Sequence, residues 1–313
     1  MFLPIYLLIY SIKAKKLDCD DITGKIVIDT DALQGLDTYD DCTIPNLEFE
    51  FSDVKTKAIP ANLFSNCRIG TLKIPEEATE IRRNSFYDCK IDTIDFGSDS
   101  KLTKILSQAF YNVKPYISSY TTLTLPDKVT EIGESAFDSS SSFSSNSLDF
   151  TIDPEKSSLM TIGNQAFKNV RFYSSSLTLP KALKTIGNSA FKSTNIYSLT
   201  FQEDSELTSI GEESFSEISS LSSINRFHYA TKLTEIKNNA FYNSGQRSLS
   251  FYLPKSLNEI GDNAFTNGYT NSIYLNTEAL LQKIGKEAFK GNYLSQYYID
   301  SDGYTQIQSI DSE

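Results

Sequence analysis

A chain of 313 residues with a single histidine has little material for acid–base catalysis. His228 has no nucleophile or carboxylate at a motif spacing, and a general base needs a positioned partner. It reads as a solvated loop residue just after a strand. There is no Gly-x-Ser-x-Gly elbow, phosphate-cradling glycine loop or metal-binding histidine pair. Asp300-Ser-Asp302-Gly303 looks like the start of a calcium loop, but the distal glutamate and the other ligand positions are missing. It reads as a polar insertion. The cysteines are Cys19, Cys42, Cys67 and Cys89, and none forms a Cys-x-x-Cys pair. Zinc and thioredoxin-type chemistry therefore have no support. Neither a catalytic residue nor a cofactor or metal is expected.

What the sequence does contain is a repeat. The string Val129-Thr-Glu-Ile132-Gly-Glu-Ser-Ala-Phe137 returns as Leu183-Lys-Thr-Ile186-Gly-Asn-Ser-Ala-Phe191 and Leu257-Asn-Glu-Ile260-Gly-Asp-Asn-Ala-Phe265. Its phenylalanine falls at Phe64, Phe86, Phe110, Phe137, Phe167, Phe191, Phe215, Phe241, Phe265 and Phe289, 22 to 30 residues apart. A half-copy, Ile307-Gln-Ser-Ile310, follows. A fixed period of this size is the mark of a stacked-coil architecture, in which each unit buries its apolar face only against its neighbours. The ten rings should form a core column. The residue before each ring is Ala or Ser in nine copies, because neighbouring coils lie only about 4.8 Å apart; Leu63 departs. Glycine follows the motif isoleucine in six of ten copies, while Pro60 fills that slot in the first, so a positive φ is not obligatory there. The glycine reads as easing a tight corner.

Between motifs lie apolar pairs at period two, such as Leu72-Lys-Ile74, Leu177-Thr-Leu179 and Ile273-Tyr-Leu275. This alternation predicts short strands with one buried face. Pro75, Pro126, Pro180 and Pro254 end four of them, since proline has no N–H for the ladder. Copies without the proline carry extra polar residues (Gly-Ser-Asp-Ser after Phe96, Gln-Glu-Asp-Ser after Phe201) that should bulge into solvent at one edge. Cys67 and Cys89 share one repeat phase, one coil apart, and read as buried thiols, although that separation also admits a disulfide.

The middle residue of each strand should point outward. That column reads Lys73, Asp95, Thr124, Thr151, Thr178, Thr200, Arg226, Tyr252, Tyr274 and Tyr298, with Asn225 standing in an expected apolar slot beside Arg226. Tyr and Arg supply much of the energy of protein interfaces. Arg226, Tyr252, Tyr274 and Tyr298 are therefore the candidate ligand-contact residues. An aromatic ladder that merely stabilises adjacent strands is the alternative.

The formal net charge of −11 disfavours nucleic acid and anionic membrane surfaces as partners. Residues 1–14 contain an apolar run, Phe2 to Ile12, too short to span a membrane. Its length suits a signal-peptide core ending near Ala14. Residues 15–50 are read as an N-terminal cap, which a Cys19–Cys42 disulfide would close in an oxidising compartment. The repeats occupy 51–313. No later apolar stretch reaches spanning length. The final half-copy would leave an edge open, an expected route to self-association.

Leu123-Thr-Leu-Pro-Asp-Lys-Val-Thr-Glu-Ile-Gly-Glu-Ser-Ala-Phe137, with the copies above, resembles the BspA-like class of leucine-rich repeats over roughly residues 50 to 313. The resemblance implies a leucine-rich-repeat solenoid, mainly β and right-handed. Short parallel strands would stack over ten to eleven repeats of 22–30 residues. It also implies a secreted or surface-displayed protein, since family members are typically surface proteins of mucosal bacteria and protist parasites. Several are associated with adhesion. The expected partner is then a protein of the extracellular matrix or host-cell surface. Two other readings compete. One is an intracellular scaffold, if residues 1–14 are no signal. The other is a polysaccharide-cleaving β-solenoid, which would need Asp, Lys and Arg gathered in a cleft.

Overall fold

A computed structural model of the chain describes residues 7–8, 25–28, 39–52, 57–118, 120–139, 147–245, 249–275, 280–292, 296–299 and 309–310. Every strand pairing among them is parallel, joining each coil to the next, and no α-helix occurs. One side of the coil carries the longer strands. A seven-stranded sheet runs from Leu7–Leu8 through Lys25–Ile28, Thr43–Phe51, Arg68–Lys73, Lys90–Asp95 and Tyr120–Thr124 to Ser147–Thr151. Two three-stranded sheets take up the same repeat position further along: Ser176–Thr178 to Ser223–Asn225, then Leu249–Tyr252 to Gln296–Ile299. Leu7–Leu8, inside the segment read as a signal peptide, lies beside Ile26–Val27.

A second side is an eleven-stranded sheet of two-residue strands, from Ala58–Ile59 to Ser309–Ile310. Each strand contributes the motif isoleucine, so Ile81, Ile105, Ile132, Ile162 and their successors pair in register. The period-two pattern is thereby reduced to its minimum: one residue in, one residue out.

The third side is the corner that carries the phenylalanines. From Phe64 to Phe289, each ring stacks on the next with centroids 5.0 to 5.6 Å apart and planes within 11°. All but Phe289 are fully buried. Each buried ring contributes on the order of 1.5–3 kcal/mol, an upper estimate because the unfolded chain is already partly compact. In every copy the residues two before and two after the ring have positive φ, from Asn62 and Asn66 to Glu287 and Gly291; the non-glycine values run from 51° to 60°. Asn and Asp tolerate this region better than most, and they take half of these positions. Left-handed residues on either side of the ring turn the chain sharply and leave its amides pointing along the stack. Phe191 N donates to Ser214 O at 2.7 Å and Ser193 N to Ser216 O at 2.9 Å.

The motif glycine has a different cause from the corner inferred above. Its φ is not positive. A Cβ on Gly187 would sit 2.5 Å from Asn164 N and 2.6 Å from Gly163 C in the preceding coil. Close approach between backbones, rather than turn geometry, selects glycine there. The polar inserts do project into solvent, with Gly97, Ser98, Asp99, Glu203 and Asp204 exposed. The serine closing each insert turns inward instead. Ser100 and Ser205 are buried and accept the amides of Leu102 and Leu207.

Cys67 and Cys89 are buried free thiols in adjacent coils. Burial pushes the Cys89 thiol well up, and its hydrogen bond with Cys67 adds to this. Cys42 is buried and disulfide-bonded. Cys19, its expected partner, lies outside the described residues, as does Asp300-Ser-Asp302-Gly303.

Candidate recognition surface

The outward column of the longer strands is real through most of its length. Lys73 pairs in register with Asp95, Thr124 with Thr151, Thr178 with Thr200, Tyr252 with Tyr274 and Tyr274 with Tyr298. Along the strand Leu249–Tyr252, burial alternates: Leu249 and Phe251 are inside, Ser250 and Tyr252 outside. Period-two geometry therefore delivers Tyr252 to the surface. The ring of Tyr252 is 57% exposed and stacks on Tyr274 with centroids 4.4 Å apart and planes 20° from parallel. Tyr298 continues the backbone register.

Arg226 is not in this column. The strand Ser223–Asn225 places Ile224 inside and pairs Asn225 with Thr200, so the exposed Asn225 is the outward residue. Its side-chain amide donates to Ser198 Oγ at 2.9 Å. Arg226 comes next with φ 56°, ψ 28°. One left-handed residue ends the period-two alternation, and counting by twos from the sequence fails there. The chain then enters a 3-10 turn, Phe227–Tyr229, whose Phe227 is buried against Phe201 and Phe251. That anchor fixes its neighbours. His228 meets Tyr229 at 4.4 Å and Tyr252 edge-on at 6.1 Å. The Arg226 guanidinium lies 6.0 Å from the Tyr229 ring.

Arg226, Tyr252 and Tyr274 thus belong to one surface cluster, but His228 and Tyr229 complete it. Sequence reading assigned neither to the site. The signal was the run Arg226-Phe-His-Tyr229 directly after a strand that lacks the terminating proline. The cluster offers ring edges, hydroxyls, an imidazole and a guanidinium at a partly exposed surface. Such groups contact protein side chains well.

A separate groove of about 630 Å³ lies between the Gly97–Ser100 insert and Pro126–Lys128. Its lining includes Thr93, Asp95, Thr124, Asp99, Asp127 and Lys128, and no arginine or histidine. Asp95 accepts the Gly97 amide at 2.9 Å. Among the described residues, no three His, Cys, Asp or Glu side chains gather to hold a metal ion. None of their helices is long and apolar enough to cross a membrane.

A model of the BspA type leucine-rich repeat region matches the chain in six copies, over residues 35–153, 139–249 and 204–310. No curated protein matches it. Among solved structures, the chain is similar to the pneumococcal vaccine antigen PcpA at 15% identity and a TM-score of 0.40, covering 90% of this chain and 71% of that one. A leucine-rich repeat protein from Bacteroides ovatus ATCC 8483 aligns at 18% identity and a TM-score of 0.30, over 71% of this chain and 76% of that one. A leucine rich cell surface protein from Faecalibacterium prausnitzii A2-165 aligns at 18% identity and a TM-score of 0.24, over 78% and 90%.

Proposed function

Because this chain belongs to the BspA-type leucine-rich-repeat family, we propose that it is a secreted or surface-displayed protein that binds a protein partner through the aromatic cluster around Tyr252. The reading is non-enzymatic. A host matrix or cell-surface protein is the partner it favours, and adhesion is the role. One observation carries it: the stacked Tyr252–Tyr274 pair, in register with Tyr298 and flanked by His228, sits at the surface. Large rings exposed together are the usual anchors of an interface.

The test replaces Tyr252, Tyr274 and Tyr298 with threonine, the residue that fills the same column at Thr124, Thr151, Thr178 and Thr200. Wild-type and triple variant serve as bait against extracellular-matrix and host-cell extracts. Thermal melting is followed in parallel. A well-folded variant that no longer retains the wild-type partner supports the reading; undiminished retention removes the cluster from consideration. N-terminal sequencing of the native protein separates secretion from an intracellular scaffold. A start near Lys15 is the expected result for a cleaved signal.

A further inference from the structure

The residue four after the core phenylalanine occupies an edge column at the entry to the longer strands. In the N-terminal half it is Arg68, Lys90, Lys114, Ser141 and Arg171, cationic in four of five coils. Lys90 pairs in register with Arg68 on one side and bridges Lys114 on the other. Arg171 holds the same phase two coils on, since Leu148 N donates to Arg171 O at 2.8 Å just as Ile91 N donates to Lys114 O at 2.7 Å. Strand spacing of about 4.8 Å therefore sets Arg68, Lys90 and Lys114 in a row along the stacking direction. Lys90 and Arg171 are exposed, and Arg68 and Lys114 are half-buried.

Like charges directly opposite one another are unfavourable. Elsewhere adjacent coils join lysine to carboxylate: Lys73 to Glu48 at 2.6 Å, Lys104 to Glu131 at 3.4 Å, Lys232 to Glu206 and Lys283 to Glu259 at 2.6 Å. Among the described residues, no acidic side chain pairs with Arg68, Lys90 or Arg171. The chain has 40 acidic residues against 29 basic ones, so a row of cations is no by-product of composition. The carboxylates two positions either side of Lys90 are engaged otherwise. Asp92 accepts the amides of Tyr116, Ile117 and Ser118 at 2.8 to 3.0 Å. Asp88 accepts the Asn112 amide at 2.5 Å.

We propose that Arg68, Lys90, Lys114 and Arg171 form a binding strip for a single chain of sulfated polysaccharide. Arg68, Lys90 and Lys114 stand on successive coils and Arg171 two coils further on, a spread along the stack that suits a linear polyanion rather than an isolated phosphate. The strip is one residue wide, with Asp88, Asp92 and Asp95 close beside it in sequence. A duplex or an anionic bilayer would meet those carboxylates; one extended chain would not. The same strands carry Thr71, Thr93 and Thr122 in register, hydroxyls that can exchange hydrogen bonds with sugar hydroxyls.

The experiment measures binding of the full chain to a heparin hexasaccharide by calorimetry, with desulfated heparin, duplex DNA and anionic phosphatidylserine vesicles as comparisons. Binding to heparin should weaken on the order of a hundredfold between about 50 and 200 mM salt, as counterion release by four cations requires. Changing Arg68, Lys90, Lys114 and Arg171 to serine, the residue at Ser219 in the same column, should abolish it. Melting of this variant should match or exceed wild-type. Lys232→Ser with Lys283→Ser, which removes cations elsewhere, should leave heparin binding intact, as should the triple tyrosine variant. The proposal is overturned by absent heparin binding at low salt, by equal loss in the two serine variants, by equal binding of desulfated heparin, or by stronger binding to DNA or vesicles. The strip stands apart from the aromatic cluster, so either can fail alone.

Discussion

The two halves of this solenoid share an interior and differ at the surface. The phenylalanine column runs through both with nearly constant spacing, from Phe64 on Phe86 at 5.6 Å to Phe265 on Phe289 at 5.3 Å. The edge column four residues later goes from mostly cationic, with Arg68, Lys90, Lys114, Ser141 and Arg171, to uncharged, with Asn195, Ser219, Gly245 and Tyr269. The outward strand column changes too, from Lys73, Asp95 and threonines to Asn225 and tyrosines. Stacking constrains what points inward, because each ring must fit two neighbours. It leaves the outward positions free, so one scaffold can carry a cationic edge at one end and an aromatic cluster at the other.

If the interior is indeed common, the same core truncation should act alike in both halves. Phe86→Ala and Phe241→Ala should each cost about 3–5 kcal/mol, since the lost ring leaves a cavity between rings that cannot close up. Denaturant unfolding of the two variants checks this, and a large difference between them would break the comparison. Next in size is Gly187→Ala. Its methyl would press on the backbone of the preceding coil, at a cost of about 1–3 kcal/mol, read from the same titration.

Freedom of the outward column has its own test. Thr124→Tyr with Thr151→Tyr would build a second tyrosine pair in the outward strand column, at positions already in register. Cross-strand side-chain pairs are each worth under about 1 kcal/mol, so the melting temperature should move only slightly. A large loss would show that the tyrosines need the local setting near His228.

The smallest effect belongs to Lys192 with Glu213, 3.0 Å apart at the surface. The hydrogen bond from Lys192 holds Glu213 below the ordinary glutamate value of 4.5, against the opposing effect of burial. For Lys192, burial works to lower the value, but the hydrogen bond and charge of Glu213 raise it above 10.5. After solvent screening, Lys192→Gln should cost no more than about 0.5 kcal/mol at neutral pH. The difference from wild-type should fade as pH falls through the depressed Glu213 value, and again as pH rises through the raised Lys192 value. Melting curves across pH follow both limits.

Much of this was legible beforehand. Ten phenylalanines at a fixed period specify a stacked core, and alternating strand residues put Tyr252 and Tyr274 outside. Two things were not. Arg226 left its expected place because a single left-handed residue resets the alternation, and no residue type forces that conformation; even glycine only permits it. His228 and Tyr229 joined the cluster because Phe227 is pulled into the core, a contact with Phe201 and Phe251 that lies across coils. The left-handed residues flanking every ring were equally hidden, since Asn, Ser, Gln and Glu all occupy them.

The sequence alone determined the period, the inward residues and the family, because repetition and burial both act through residue type. Only the folded chain decided where the strand alternation breaks, at Arg226, and which side chains outside the repeat columns, His228 among them, join the cluster. Register between neighbouring strands, at a spacing close to a side chain's width, turns residues some two dozen positions apart into a stacked tyrosine pair or a row of cations.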